Sequence, residues 1–272
     1  LRITAAVLEY RGYYGVKVSS TTIFESGAGR VFSLYKSASG ELAAIVQVFA
    51  MGAMRTGAAS GIASKYMARP DSAMLGVIGS GRQARTQVAA IGKTLPITEV
   101  RVYSRSAENR QSFCDAISLP GVTAIPVDTA EAAVRQCDVV VTATTSTEPV
   151  LKGEWLSPGT HINAIGANYE YRRELDSAAV SRASVIASDD LEQVKYEATD
   201  LAAPVSEGVM GWDKLTGLGE IVAGKRPGRT DPSDITIFKS LGVALEDVAL
   251  AAAAYEKALA LGIGQQLPDL AG

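Results

Sequence analysis

Short apolar blocks, each of strand length, recur through the middle of the chain. Residues 73–78 form the first and stop at two glycines, Gly79 and Gly81. Further blocks follow at 100–103, 122–125, 138–142, 161–165 and 184–187, most of them rich in Val and Ile. The stretches between them carry helical spacing, at about 82–93 and 108–117. A third, short helix is capped by Thr129 and ends near Cys137. Buried strands this short, alternating with helices, predict an α/β fold with a doubly wound parallel sheet.

The flanks have a different rhythm. Residues 31–35 and 42–49 alternate as strands do, around a polar turn at 36–41. The whole of 12–49 therefore predicts an antiparallel sheet. A helix rich in Ala, Gly and Ser follows at about 52–68, and its small side chains allow close packing. Pro70 and Asp71 then mark a boundary. A long alanine-rich helix is predicted over 243–261. The expected organisation is a doubly wound domain over 71–238, inserted into a second, α+β domain built from 1–70 and 239–272. The stretch 199–233, with its glycines, prolines and charges, is long for a connection and predicts a lid or flap.

Composition narrows the function classes. The 272 residues suffice for two modest domains. A net charge of −3 leaves no basic face for nucleic acid. Two cysteines, Cys114 and Cys137, are too few for a disulfide framework or a zinc knuckle and fit a reducing, cytoplasmic setting. With one histidine, His161, a histidine-rich metal site is excluded. The apolar runs are strand-sized or broken by charge, so no membrane span is expected, and the start shows no signal-peptide pattern. The chain opens at Leu1 without a methionine, and residues ahead of it are expected.

The chemistry begins at the turn Gly79-Ser80-Gly81-Arg82-Gln83-Ala84, which follows a predicted strand and opens a predicted helix. That is the context a dinucleotide-binding fingerprint requires. Gly79 permits the tight turn, Gly81 lets backbone approach a pyrophosphate, and Ala84 takes the small position where helix meets strand. Phosphates would sit on the helix N-terminus. The next strand ends at Tyr103-Ser104-Arg105-Ser106, with Arg110 one turn into the following helix and no carboxylate at the strand end. A carboxylate there binds the ribose 2′-hydroxyl of NAD, whereas Ser104 and Arg105 suit a 2′-phosphate. NADP(H) is expected ahead of NAD(H); the alternative is that Arg105 is only a solvated surface charge.

Arg55 lies near the start of the small-residue helix, where the dipole disfavours a cation unless an anion binds. By itself it reads equally well as an arginine turned to solvent. Lys17, at the end of a likely strand, reads alone as a surface lysine.

Several segments together resemble the ornithine cyclodeaminase/mu-crystallin family. These are Met54-Arg-Thr-Gly-Ala-Ala-Ser60, the glycine turn with Gln83, Thr160-His-Ile-Asn-Ala-Ile-Gly-Ala167, Arg173-Glu-Leu-Asp176 and Asp234-Ile-Thr-Ile-Phe-Lys-Ser-Leu-Gly242. The resemblance runs in order from about Gly15 to the C-terminus. It implies that Arg55 and Lys17 hold a substrate carboxylate and that Arg82 and Gln83 contact cofactor. It places Thr142, Asn163, Ala164 and Ile165 along the ribose and nicotinamide, and Ser240 and Leu241 on a loop returning to the substrate domain. His161 is expected to be buried and structural. A homodimer formed through the flanking domain is implied as well. The family's N-terminal segment has no counterpart here.

Three departures lead away from cyclodeamination. Asn168 stands where the cyclodeaminases carry an aspartate, and an amide cannot take a proton as a carboxylate does. Their catalytic glutamate has no secure equivalent, Glu9 being out of register. Ser104 and Arg105 favour NADP rather than the NAD those enzymes use. The expected activity is therefore NADP(H)-dependent reduction of a cyclic imine or ketimine carboxylate, or the related amino-acid dehydrogenase reaction. Asn168 would orient the imine nitrogen or a water. A cyclodeaminase converting ornithine to proline and ammonia, and an NADPH-bound binding protein without catalysis, are the alternatives.

Overall fold

The structure, a computed structural model, describes residues 2–19 and 31–266. The chain begins with β1 (Arg2–Leu8), β2 (Tyr13–Ser19), β3 (Val31–Lys36) and β4 (Leu42–Gln47), then α1 (Val48–Met67). Next come β5 (Met74–Ile78), α2 (Arg82–Ile91), β6 (Glu99–Tyr103), α3 (Ala107–Asp115), β7 (Thr123–Pro126) and α4 (Ala130–Val134). β8 (Val139–Thr142), β9 (His161–Ala164), α5 (Ser177–Ser181), β10 (Ala183–Ser188), α6 (Gln193–Glu197) and α7 (Thr199–Ser206) follow. The chain closes with β11 (Leu215–Gly217), α8 (Leu218–Val222), β12 (Ile235–Lys239) and α9 (Ala244–Leu261).

The first compact unit comprises Leu1–Arg55 and Gly242–Gly272. Its strands form an antiparallel sheet in the order β1-β2-β3-β4. The side chains alternate across the pleat. Leu8, Phe32 and Leu34 are buried on one face with Val248, Ala251 and Ala252 of α9. Ile3, Val7, Val18, Val31 and Ile45 project from the other face and stay exposed. Residues 20–30 of the expected sheet region lie outside the described residues. The strand expected over 42–49 ends at Gln47, because helix α1 already starts at Val48.

The second unit, Thr56–Leu241, holds an eight-stranded, all-parallel sheet in the order β11-β10-β12-β9-β8-β5-β6-β7. The doubly wound fold and the separate antiparallel sheet are those the sequence pattern predicts. β8 and β9 are buried along their whole length, as parallel strands covered on both faces must be. The order reverses between β5 and β8, which opens a crevice at the strands' C-terminal ends.

Two boundaries differ from expectation. The division falls at 55/56 and 241/242, not at 70/71 and 238/239. The physical reason is packing: Ala59, Ala63 and Met67 of α1 are buried with Ala187, Leu218, Ile221 and Phe238, so this part of the helix folds with the parallel sheet. The segment expected as a lid, 199–233, is structured instead. It contains α7, the edge strand β11 and α8, with Asp200, Leu201 and Ile221 buried. Among the described residues no helix is long and apolar enough to cross a membrane.

Candidate active site

The glycine turn closes β5 and opens α2. Gly79 has φ +116°, and a Cβ there would run into the carbonyl oxygen of Ala143. At Gly81 a Cβ would meet nothing within 4 Å, so the backbone faces open cleft. Among the described residues no side chain caps the N-terminus of α2, the end of a helix at which phosphates bind. Ala84 is fully buried against the sheet, as a small residue at the helix–strand contact should be.

A cleft of about 1070 Å³ lies along this turn. Gly79, Ser80, Gly81, Arg82, Gln83, Ser104, Arg105, Ile165 and Asn168 all line it, so nine sequence-predicted residues come together. Among the described residues its lining includes three arginines, Arg82, Arg105 and Arg172, and no carboxylate. The Oε1 of Gln83 and the Nε of Arg172 are buried there with no hydrogen-bond partner among the described residues. An open glycine backbone, an uncapped helix, an arginine-lined wall and orphaned polar atoms all fit a dinucleotide.

Other expected contacts stand behind this wall. Arg110 does not line the cleft; it donates to the carbonyl of Ser104 at 3.1 Å and pairs with Asp128, so it braces the strand-end loop. The Ser104 hydroxyl donates to the carbonyl of Ser106 at 3.0 Å. Asn163 is fully buried and donates to Ser64 Oγ at 3.0 Å. Ala164 and Thr142 are fully buried, and Ser240 Oγ lies 3.3 Å from Asp189 Oδ2, away from the lining. Leu241 N–H also donates to Asp189.

In the amide orientation that satisfies its neighbours, the Asn168 nitrogen donates to the carbonyls of Ser240 and Ile165, each at 3.1 Å. Both amide hydrogens are thereby used, and the oxygen remains as an acceptor. His161 is fully buried, with Nδ1 2.8 Å from Thr236 Oγ1. Burial, followed by the charge of Arg229, lowers its pKa to about 3, so the ring is neutral and structural. Burial raises the Cys114 and Cys137 thiols to about 11 and 12, so neither is a thiolate at neutral pH.

Arg55 and Lys17 come together in the first unit, on an acid the sequence reading missed. Asp247, fully buried in the first turn of α9, accepts from Arg55 Nε at 3.1 Å and pairs with Lys17. Glu246 accepts from Arg55 Nη1 at 3.2 Å. Gly242, at φ +79°, lies against the guanidinium, whose carbon would be 2.6 Å from a Cβ there. Only a long-range contact of 192 residues links Asp247 to Arg55, so no local spacing signals it.

A second missed group lies under the cleft. The Glu174 carboxylate is fully buried and receives Thr144 N–H at 2.6 Å, Gly166 N–H at 2.7 Å and the Thr142 hydroxyl at 2.9 Å. Asp200 accepts from the N–H groups of Glu174 and Leu175 at 2.7 and 2.9 Å, and from Lys239 Nζ at 3.2 Å. Burial and the charge of Asp200 push the Glu174 carboxyl above the usual carboxylate range, and Lys239 opposes them. Among the described residues no group of three or more His, Cys, Asp or Glu is placed to hold a metal.

A profile of the ornithine cyclodeaminase/mu-crystallin family matches residues 8–262. The chain belongs to that family. An alanine dehydrogenase of Archaeoglobus fulgidus is 42% identical over 79% of this chain and 66% of its own length. The chain thus spans just under two thirds of that relative. The solved Delta(1)-pyrroline-2-carboxylate reductase of Thermococcus litoralis, in complex with NADH and L-proline, shares 36% identity at a TM-score of 0.86. That match covers 97% of this chain and 88% of that one. An archaeal alanine dehydrogenase dimer with bound NAD shares 38% identity at a TM-score of 0.86, over 94% of this chain and 81% of that one.

Proposed function

We propose that this member of the family is an NADP(H)-dependent oxidoreductase that reduces a cyclic imine or ketimine carboxylate, or interconverts a small amino acid with its imino or oxo acid. The observation that carries this reading is the cleft at the glycine turn, lined among the described residues by Arg82, Arg105 and Arg172 and by no carboxylate. Such a wall attracts a polyanionic dinucleotide. At the strand end it has Arg105 for a 2′-phosphate and nothing to repel one. Two of the similar solved structures hold NADH or NAD, so the preference for the phosphorylated cofactor is the finer part of the proposal.

The bound cofactor supplies the hydride. The protein orients and holds charge. Gly79, Gly81 and the N-terminus of α2 take the pyrophosphate. Arg55 and Lys17 anchor the substrate carboxylate through charge-assisted hydrogen bonds. With its amide nitrogen turned to the carbonyls of Ser240 and Ile165, Asn168 offers its oxygen, and an acceptor suits the N–H of a protonated imine. It cannot donate a proton, and neutral His161 does not either, so the proton enters with the iminium. Where the cyclodeaminases carry an aspartate this chain has Asn168, an amide that cannot take a proton as a carboxylate does, which supports the reductase reading.

The assembly proposed is a homodimer. The exposed sheet face, with Ile3 at 61% and Val7 at 55% accessibility beside Val18, Val31 and Ile45, offers an apolar surface that a second copy would cover. An archaeal relative is a dimer in its solved structure. Setting and compartment follow the same reading: a reduced, cytoplasmic enzyme with free Cys114 and Cys137.

The direct test is turnover. Purified protein with NADPH is offered five- and six-membered cyclic imine carboxylates, and a 2-oxo acid with ammonia, while absorbance at the reduced nicotinamide band is followed. Oxidation of NADPH by one of these is the expected result. Release of proline and ammonia from L-ornithine with catalytic NAD would overturn it. Tight NADPH binding with no turnover on the whole panel would point to the binding-protein alternative.

A further inference from the structure

We propose that Glu174 is a positioning residue of the cleft, fixing the wall formed after β8 and β9, with Asp200 and Lys239 holding it in place. This rests on the dinucleotide reading of the cleft. The geometry is specific. One carboxylate oxygen takes the N–H of Thr144, the other takes the N–H of Gly166, and both of these residues line the cleft. The carboxylate thus ties together two loops that leave adjacent strands at the crevice.

Its supports come from two distant segments. Asp200, in the first turn of α7, accepts the backbone N–H groups of Glu174 and Leu175 on one oxygen and the Lys239 ammonium on the other. Lys239, the last residue of β12, also donates to the carbonyl of Ala164 at 3.3 Å. Ala164 stands two residues before Gly166, so the lysine braces the same loop from below. All three side chains are fully buried.

A buried set of two acids and one lysine is a weak stabiliser, because desolvation offsets most of the attraction and well-packed apolar residues often do as well. Stability alone therefore gives little reason to place these groups here. Fixing backbone amides against a ligand gives a reason, since small misplacements in a cofactor site reduce rate steeply. The two segments that carry Glu174 and Lys239, Arg173-Glu-Leu-Asp176 and Ile235-Thr-Ile-Phe-Lys239, gain a role that the cofactor contacts alone do not give them.

The test uses Glu174→Gln, in which the amide group must present its NH₂ to one of two N–H donors. NADPH binding is titrated by nicotinamide fluorescence, and amide hydrogen exchange is followed by mass spectrometry in the unliganded full chain. The expected result is an NADPH Kd raised at least fivefold. Exchange should quicken in 143–147 and 165–169, with the strands 139–142 and 161–164 unchanged. Wild-type affinity with unchanged exchange in both loops would overturn the proposal. So would exchange that quickens uniformly through the parallel sheet, which would make Glu174 a stability residue only. If Glu174→Gln does not fold, Glu174→Asp keeps the charge but shortens the reach, and the same two readouts decide. A wild-type protein that binds neither NADPH nor NADH would sink the dinucleotide reading, while the exchange measurement would still decide whether Glu174 fixes the loops.

Discussion

The molecule gathers cations in two places and treats them in opposite ways. At the glycine turn, Arg82, Arg105 and Arg172 line a cleft whose described residues include no acid. In the antiparallel unit, Arg55 and Lys17 already share Asp247, and Arg55 also holds Glu246. Among the described residues the first place has no carboxylate beside its arginines. The second is close to neutral before any substrate arrives. The difference teaches that one site attracts and the other aligns. Long-range pull on a polyanion suits the arginine wall, whereas Asp247 pre-sets the geometry of Arg55 and Lys17, as the proposed hold on a single carboxylate requires.

The largest effect is expected at Asp247. Asp247→Asn leaves two partly buried cations without their shared counterion and should destabilise the protein by about 3–5 kcal/mol. Urea denaturation measures it, and a loss within experimental error would mean Asp247 does not hold the pair. Next in size, Arg55→Ala should lower kcat/KM by roughly 100-fold by removing a charged hydrogen bond to the substrate. NADPH affinity should stay near the wild-type value, and retained activity would remove Arg55 from the site. Smaller again, Arg105→Ala should weaken NADPH by roughly tenfold and leave NADH untouched. Isothermal titration with both cofactors checks this, and an equal loss for both would make Arg105 a general attractor, not a 2′-phosphate ligand.

The smallest effect is a dependence on pH. His161 has a folded pKa near 3 against an ordinary value near 6.5, so only the unfolded chain takes its proton between those values. Its contribution to stability is complete above pH 6.5 and is lost as pH falls, by about 1.4 kcal/mol per pH unit. The stability difference between pH 7 and pH 5.5 should therefore be larger in wild type than in His161→Gln. Equal losses would contradict the burial account of this ring.

Much of the fold was legible because its signals are local. The glycine turn, the Val- and Ile-rich blocks, Thr129 as a cap accepting Ala132 N–H, and Arg105 past the second strand each need only a few neighbouring residues. The missed groups depend on pairs far apart in sequence. Glu174 meets Gly166 eight residues away, but Asp200 and Lys239 lie 39 apart, and Lys17 and Asp247 lie 230 apart. A lysine at the end of an apolar run reads as a strand entering solvent, and Lys239 is instead fully buried on Asp200. Arg110 shows the converse: its charge beside the cofactor strand suggested a ligand, while Asp128 and the carbonyl of Ser104 occupy it as a brace. The irregular composition of 199–233 suggested a lid because it lacks periodicity, yet its turns are pinned by Asp200 and by α8 against the sheet.

Whether the arginine wall takes the phosphorylated cofactor is tested by a paired titration. NADPH and NADH are each titrated into the protein at one fixed ionic strength, with nicotinamide fluorescence as the signal. The account predicts NADPH binding at least roughly tenfold tighter, the worth of one charged hydrogen bond to the 2′-phosphate. Equal affinities, or tighter NADH, would contradict it.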